Sequence, residues 1–208
     1  DAFVKQYPTV EDLANATEDE VLLLWQGLGY YSRARNLHAS AKFIVKELNG
    51  VFPDTFKSLL ELKGVGDYTA SAIASICYNE AQAVVDGNVY RVLSRVFGIE
   101  TTIPSSKAHR EFKELAAWLM DKEQAGTFNQ AMMEFGALQC VPRNPDCEQC
   151  IFSSKCVALH KNIVQELPNK KKKAKVTKRY FNYFYVRTDD GSLLMQQRLK
   201  KDIWYKLY

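Results

Sequence analysis

The chain has 208 residues, 47% of them apolar and 25% charged, with a formal net charge of +4. That balance fits a folded globular protein and excludes a low-complexity or strongly charged disordered chain. No apolar run approaches the about 20 residues that a membrane-spanning helix needs, so no membrane association is expected. The charge is uneven. Residues 170–179 (KKKKAKVTKR) hold seven Lys or Arg and no acid, which leaves −3 on everything else. An anionic partner of the body must then be held by local geometry and not by bulk charge. The lysine run reads as a solvated linker with phosphate contact as a secondary role.

Residues 1–139 read as helix after helix. Thr9 is placed to cap a short helix after Pro8, and Thr17-Glu18-Asp19-Glu20 is a capping box before Val21 to Trp25. Gly27 and Gly29 break the chain. A long amphipathic helix is expected from about Tyr31 to Leu48, with Ala34, Leu37, Ala41, Ile44, Val45 and Leu48 on one stripe. Helices follow over 56–62, from Asp67 to about Tyr78, from about Val89 to Phe97, over 106–120 and over 128–138. The small residues of 69–77 (TASAIASIC) suit a closely packed central helix, and Cys77 reads as core. Trp25 and Trp118, set among aliphatic residues, also read as core. His38, His109 and His160 are scattered and show no metal spacing.

After Leu167-Pro168 and the lysine run the pattern changes to period two and becomes aromatic. Tyr180 to Val186 reads as one strand, Asp190-Gly191 as a hairpin turn and Ser192 to Gln197 as a second strand. Two strands alone are marginal in water, so the segment reads as the start of a β-rich domain cut short.

Four of the five cysteines fall in residues 140–156 (CVPRNPDCEQCIFSSKC), at Cys140, Cys147, Cys150 and Cys156. A C-x6-C-x2-C-x5-C spacing in a loop with few apolar residues suits four thiolates on one [4Fe–4S] cluster. Zinc is the competing ligand, but a structural zinc site usually shows two short knuckles and only Cys147–Cys150 makes one. Two disulfides would need an oxidising compartment, and nothing N-terminal resembles a secretory segment. A reducing, cytoplasmic setting is expected.

Two further stretches carry chemistry. In Leu62-Lys63-Gly64-Val65-Gly66-Asp67-Tyr68-Thr69-Ala70, glycines flank one apolar residue ahead of a helix. That arrangement exposes successive N–H groups to a phosphate oxygen and reads no base. A plain glycine turn between core helices is the bland alternative. Asp86, in Val85-Asp86-Gly87-Asn88-Val89, stands where a helix begins. It reads either as an ordinary N-cap or as a carboxylate kept ionised by the helix N-terminus.

Together with Gly27-Leu28-Gly29-Tyr30-Tyr31-Ser32-Arg33-Ala34-Arg35-Asn36-Leu37 and Phe128-Asn129-Gln130-Ala131-Met132-Met133, these stretches make the chain resemble the MutY-type adenine DNA glycosylases of the helix–hairpin–helix superfamily. The resemblance implies a mainly α glycosylase core over 1–139, with the helix–hairpin–helix at 56–78. It implies a [4Fe–4S] loop over 140–156, a basic linker over 157–178 and the first strands of a Nudix-like domain over 179–208. The implied activity is base-excision repair: hydrolysis of the N-glycosidic bond of adenine opposite 8-oxoguanine or guanine in double-stranded DNA. The protein is expected to act as a monomer in the cytoplasm, associated with the nucleoid.

Residue by residue, the resemblance makes Asp86 the group that stabilises positive charge on the sugar, with Asn88 beside it. Tyr30 would wedge into the base stack as adenine is flipped out. Arg33, Lys63, Gly64, Val65, Gly66 and Arg143 would contact DNA. Tyr68 occupies the position where endonuclease III-type relatives carry a Schiff-base lysine, so a monofunctional glycosylase is expected. The family's general acid is a glutamate upstream of the position matching Asp1, and no residue here corresponds to it. The 208 residues alone are therefore expected to be inactive or strongly impaired. The alternatives are an endonuclease III-like glycosylase/lyase and a DNA-binding fragment without catalysis.

Overall fold

A computed structural model describes residues 1–171, 177–202 and 204–207. The chain divides into two compact units, one of residues 1–51 and 173–208, the other of residues 52–172. The described residues form ten α-helices, and none is long and apolar enough to cross a membrane.

The first unit contains α1 (Ala2–Gln6), α2 (Val10–Asn15), α3 (Glu18–Leu24) and α4 (Ser32–Glu47). Both expected caps form. Thr9 Oγ1 accepts from Asp12 N at 3.1 Å, Thr17 Oγ1 accepts from Glu20 N at 3.2 Å, and each acid returns a bond to the cap's own N–H. Such boxes typically stabilise a helix start by about 1 kcal/mol. Leu13, Ala14, Val21, Leu22, Ala34 and Ala41 make the core, with Phe3, Tyr7 and Trp25 against it. The expected stripe on α4 needs one correction: Leu37 is exposed, and His38 is buried in its place. His38 is tolerated there because its Nε2 lies 3.0 Å from the Ala16 carbonyl.

The tail of this unit is not the pair of strands expected from the sequence. One isolated antiparallel bridge, Arg187 to Leu193, spans a turn at Gly191 (φ 86°), and the aromatics Tyr180, Tyr183, Phe184 and Tyr185 are exposed. Without a third strand or a helix to bury one face, a ribbon of this kind gains too little to extend its ladder. Farther on, Leu207 packs against the helical core, and the Lys206 ammonium lies 2.9 Å from Glu18 Oε1. Residues 172–176, half of the lysine run, lie outside the described residues.

The second unit contains α5 (Phe56–Leu59), α6 (Asp67–Tyr78), α7 (Gly87–Phe97), α8 (Ser106–Leu119), a 3₁₀ turn at Lys122–Gln124, α9 (Ala125–Leu138) and α10 (Val157–His160). Val85, Val89, Leu93, Phe112, Ala116 and Met120 form its main core. Small residues bring three helices close. A Cβ on Gly126 would sit 2.7 Å from the Ser75 carbonyl oxygen in α6, and one on Gly136 would sit 2.6 Å from Asn88 Cβ in α7. Buried Asn129 fastens the same junction: its Oδ1 accepts from Val84 N at 3.0 Å, and its Nδ2 donates to Ser75 Oγ and Gln82 O, both at 2.8 Å.

Two core assignments fail here. Cys77 is exposed and Trp118 is 78% exposed, because each falls on the outer side of a helix whose small or aliphatic neighbours supply the buried side. The stretch after the cysteine loop is packed as far as Lys171. Ala158 and Leu167 are buried with Cys156, and Ile103 pairs with Lys170 in a parallel bridge. Its apolar residues (Val157, Leu159, Ile163, Val164) are spaced to fold back on that cluster and α7.

Candidate active site

Asp86 is the N-cap of α7, for which its conformation and its acceptor oxygens both suit it. One oxygen, Oδ1, accepts from the backbone N–H groups of Asn88 and Val89, both at 2.8 Å. The other, Oδ2, accepts from Asn88 Nδ2 at 2.9 Å. The carboxylate is thus fixed in rotation, half-buried, and set at the positive end of an 11-residue helix. The N-cap reading of Asp86 holds, and the cap bonds fix how the carboxylate is turned.

Asn88 is oriented in turn by Arg91. The Arg91 Nη2 donates to Asn88 Oδ1 at 2.8 Å and to the Gly136 carbonyl at 2.5 Å, while Nε donates to the Cys140 carbonyl at 2.7 Å. Burial lowers the Arg91 pKa, an effect that the neighbouring Cys140 and Asp86 charges oppose. Arg95, one turn on and almost fully buried, performs the same service for the cysteine loop. It donates to the Leu167, Val141 and Pro142 carbonyls at 3.1, 2.8 and 3.1 Å, and its Nη1 lies 3.4 Å from Cys140 Sγ. Neither arginine was singled out from the sequence. Their signal is a pair of cations four residues apart on a helix whose same face must enter the core.

Cys140, Cys147, Cys150 and Cys156 line one small cavity of about 20 Å³ together with Arg95, Phe135 and Phe152. All four are free thiols. Burial and then the charges of Cys140, Cys156 and Cys150 push the Cys147 thiol up, and Arg95 opposes them. Among the described residues no three His, Cys, Asp or Glu side chains are gathered closely enough to share a single metal ion.

The hairpin between α5 and α6 is formed as expected. Val65 N donates to the Leu62 carbonyl at 3.1 Å, and Gly64 takes φ 80°, a left-handed conformation that disfavours any side chain. Gly66 is extended (φ −101°) and is the α6 N-cap without a side-chain cap bond; a Cβ there would meet nothing within 4 Å. Gly66 therefore leaves open surface in front of the α6 N-terminus. Lys63, Gly64 and Gly66 are exposed and Val65 is half-buried. Tyr68 follows on α6, with its hydroxyl 3.9 Å from Met133 Sδ and no bond to Asp86. Arg143 is exposed in the cysteine loop.

In the first unit Tyr30 is 81% exposed at φ 47°, between Gly29 (φ 67°) and α4. Such a backbone is uncommon for a large residue and costs on the order of 1 kcal/mol. The Arg33 guanidinium lies 5.5 Å from the Tyr30 ring centroid and 5.7 Å from that of Trp25, whose Nε1 donates to the Gly29 carbonyl at 3.1 Å. The loop is therefore braced from below while Tyr30 projects.

A helix–hairpin–helix, a carboxylate at a neighbouring helix N-terminus and a four-cysteine loop define a DNA-repair glycosylase class of fold. Residues 1–117 match the family described as HhH-GPD superfamily base excision DNA repair protein, and the chain belongs to that family. It is 32% identical over 206 residues to an adenine DNA glycosylase of Buchnera aphidicola, covering 99% of this chain and 59% of that protein. It is 48% identical over 157 residues to the human adenine DNA glycosylase, covering 75% of this chain and 29% of that one. The chain thus spans 59% and 29% of the length of these two relatives, less than two thirds of either. Among solved structures, a thermostable thymine-DNA glycosylase superposes with TM-score 0.70 at 31% identity, over 76% of this chain and 73% of that one. An endonuclease III–DNA complex superposes with TM-score 0.68 at 24% identity, over 77% and 74%, and shares the fold.

Proposed function

We propose that this chain is the catalytic region of a monofunctional adenine DNA glycosylase acting on adenine opposite 8-oxoguanine or guanine in duplex DNA. The observation that carries the reading is the Asp86 carboxylate, held by three hydrogen bonds at the start of α7. As the C–N glycosidic bond breaks, its electron pair leaves with adenine and positive charge grows on the sugar. An anion fixed nearby stabilises that charge without reorganising. Water then supplies the oxygen for the new bond to the sugar carbon. The proton that adenine needs is assigned, from the family resemblance, to a glutamate upstream of Asp1.

Tyr68 supports hydrolysis over lyase chemistry, because a phenol cannot form a Schiff base with the sugar. The hairpin at 63–66 supports phosphate binding, since it offers a glycine-lined helix N-terminus with open space before it. We assign Tyr30 to the wedge, Arg33 to bracing it and Arg143 to a phosphate contact from the cysteine loop. Cys140, Cys147, Cys150 and Cys156 would hold a [4Fe–4S] cluster, which would supply a rigid core to a loop that has few apolar residues. We place the protein in the cytoplasm, at the nucleoid, as a monomer, and read 179–208 as the start of a Nudix-like domain. Its period-two aromatics and its turn at Gly191 support that reading. Adenine release from a duplex carrying A opposite 8-oxoguanine, compared between wild type and Asp86→Asn of the chain extended upstream to include that glutamate, tests the proposal.

A further inference from the structure

The hairpin carries a charge opposed to phosphate binding. Asp67 is the first residue of α6, directly after Gly66, and is the acid of that helix's first turn. An acid there favours the helix, but it competes with a phosphate for the same N–H groups. Its carboxylate is turned onto α8 instead. Oδ1 pairs closely with Lys113 Nζ, and Oδ2 lies 3.2 Å from His109 Nε2. The Lys113 ammonium also stands 4.7 Å from the centroid of the Phe56 ring in α5 and 3.4 Å from Ser71 Oγ in α6. One cation thereby meets both helices that flank the hairpin. His109 is placed from its other side by Tyr90 of α7, whose hydroxyl lies 3.4 Å from Nδ1.

We propose that Lys113, seconded by His109, is a positioning residue for DNA binding: it holds and neutralises the Asp67 carboxylate so that a backbone phosphate can occupy the hairpin. This rests on the phosphate-binding reading of residues 63–66 given above. Lys113 has a side chain only 23% exposed and already committed to Asp67, which makes it unsuited to contact phosphate itself. Its effect on DNA is indirect.

The test measures affinity of the full chain for a duplex carrying an abasic-site analogue, across a salt series, for wild type, Lys113→Met, Asp67→Asn and the double variant. Methionine keeps the length and the contact with Phe56 while removing the charge. Lys113→Met should weaken binding by about three- to tenfold, because Asp67 is left uncompensated. Adding Asp67→Asn should restore most of it, and the salt slope should not change. Asp67→Asn alone should bind as tightly as wild type or more tightly, which keeps the test decisive if Lys113→Met fails to fold. Loss of affinity in Asp67→Asn, or no rescue in the double variant, overturns the proposal. A slope shallower by about one phosphate in Lys113→Met also overturns it, since Lys113 would then touch DNA directly. Wild type that binds no duplex at all would instead overturn the phosphate-binding reading, and this inference with it.

Discussion

Arg91 joins the candidate catalytic carboxylate to the cysteine loop through Cys140. Its guanidinium donates to Asn88 Oδ1 at 2.8 Å on one side and to the Cys140 main-chain carbonyl at 2.7 Å on the other. Asn88 in turn donates to Asp86 Oδ2. A planar fork of fixed donors is suited to this, and a lysine could not satisfy three acceptors in the same geometry.

Arg91→Ala should therefore cost both stability and catalysis. It leaves the Cys140 and Gly136 carbonyls and the Asn88 amide oxygen short of a buried donor, for a loss of about 3 kcal/mol. Denaturant unfolding measures that directly. In the protein extended upstream to include the implied glutamate, adenine release should fall further than the folded fraction does, because Asn88 is freed to rotate away from Asp86.

Gly136→Ala tests the close approach of α9 to α7. The added methyl would meet Asn88 Cβ at 2.6 Å and its backbone at 3.1 Å, so the helices must separate. Overpacking of this kind costs about 1–3 kcal/mol, read as a lower unfolding midpoint.

Cys147→Ser should abolish the bound iron and acid-labile sulfide that purified wild type is expected to carry in equal amounts. Analysis of both elements checks this. Iron without sulfide, or zinc in their place, would contradict the cluster assignment.

His38 sets a pH dependence for the first unit. Burial, then the neighbouring Lys42, lowers its pKa from the ordinary 6.5, against smaller opposing effects of the Ala16 carbonyl and Glu18. The folded state thus prefers the neutral ring, and the unfolded state binds the proton more readily. Stability should be full above about pH 6.5 and fall as pH drops below it, levelling off once the folded ring also protonates. His38→Gln, which keeps an N–H for the Ala16 carbonyl, should flatten this part of the stability–pH curve.

Much of this molecule was legible as sequence because its signals are local. Thr9 and Thr17 announce helix starts through residues three positions away, Gly64 marks a left-handed turn, and the cysteine spacing gathers four thiols around one cavity. What was not legible depends on partners distant in the chain. Nothing local in the sequence marks Arg91 and Arg95 as the donors that meet the carbonyls of residues 136, 140, 141, 142 and 167. Trp118 and Cys77 failed for the converse reason: apolar character does not say which side of a helix meets the core. The aromatic segment 180–186 shows the same limit, since strand propensity yields a strand only where a neighbour completes the ladder.

The central claim is that Asp86 drives adenine excision, and single-turnover adenine release tests it most directly. The substrate is a duplex with A opposite 8-oxoguanine, and the protein is this chain extended upstream to include the glutamate implied by the family resemblance. The account predicts release of free adenine, leaving an intact abasic strand, and a loss of at least about 10²-fold in Asp86→Asn that still binds the duplex. Release that survives Asp86→Asn, or none from a protein that binds the duplex and carries its iron, would contradict it.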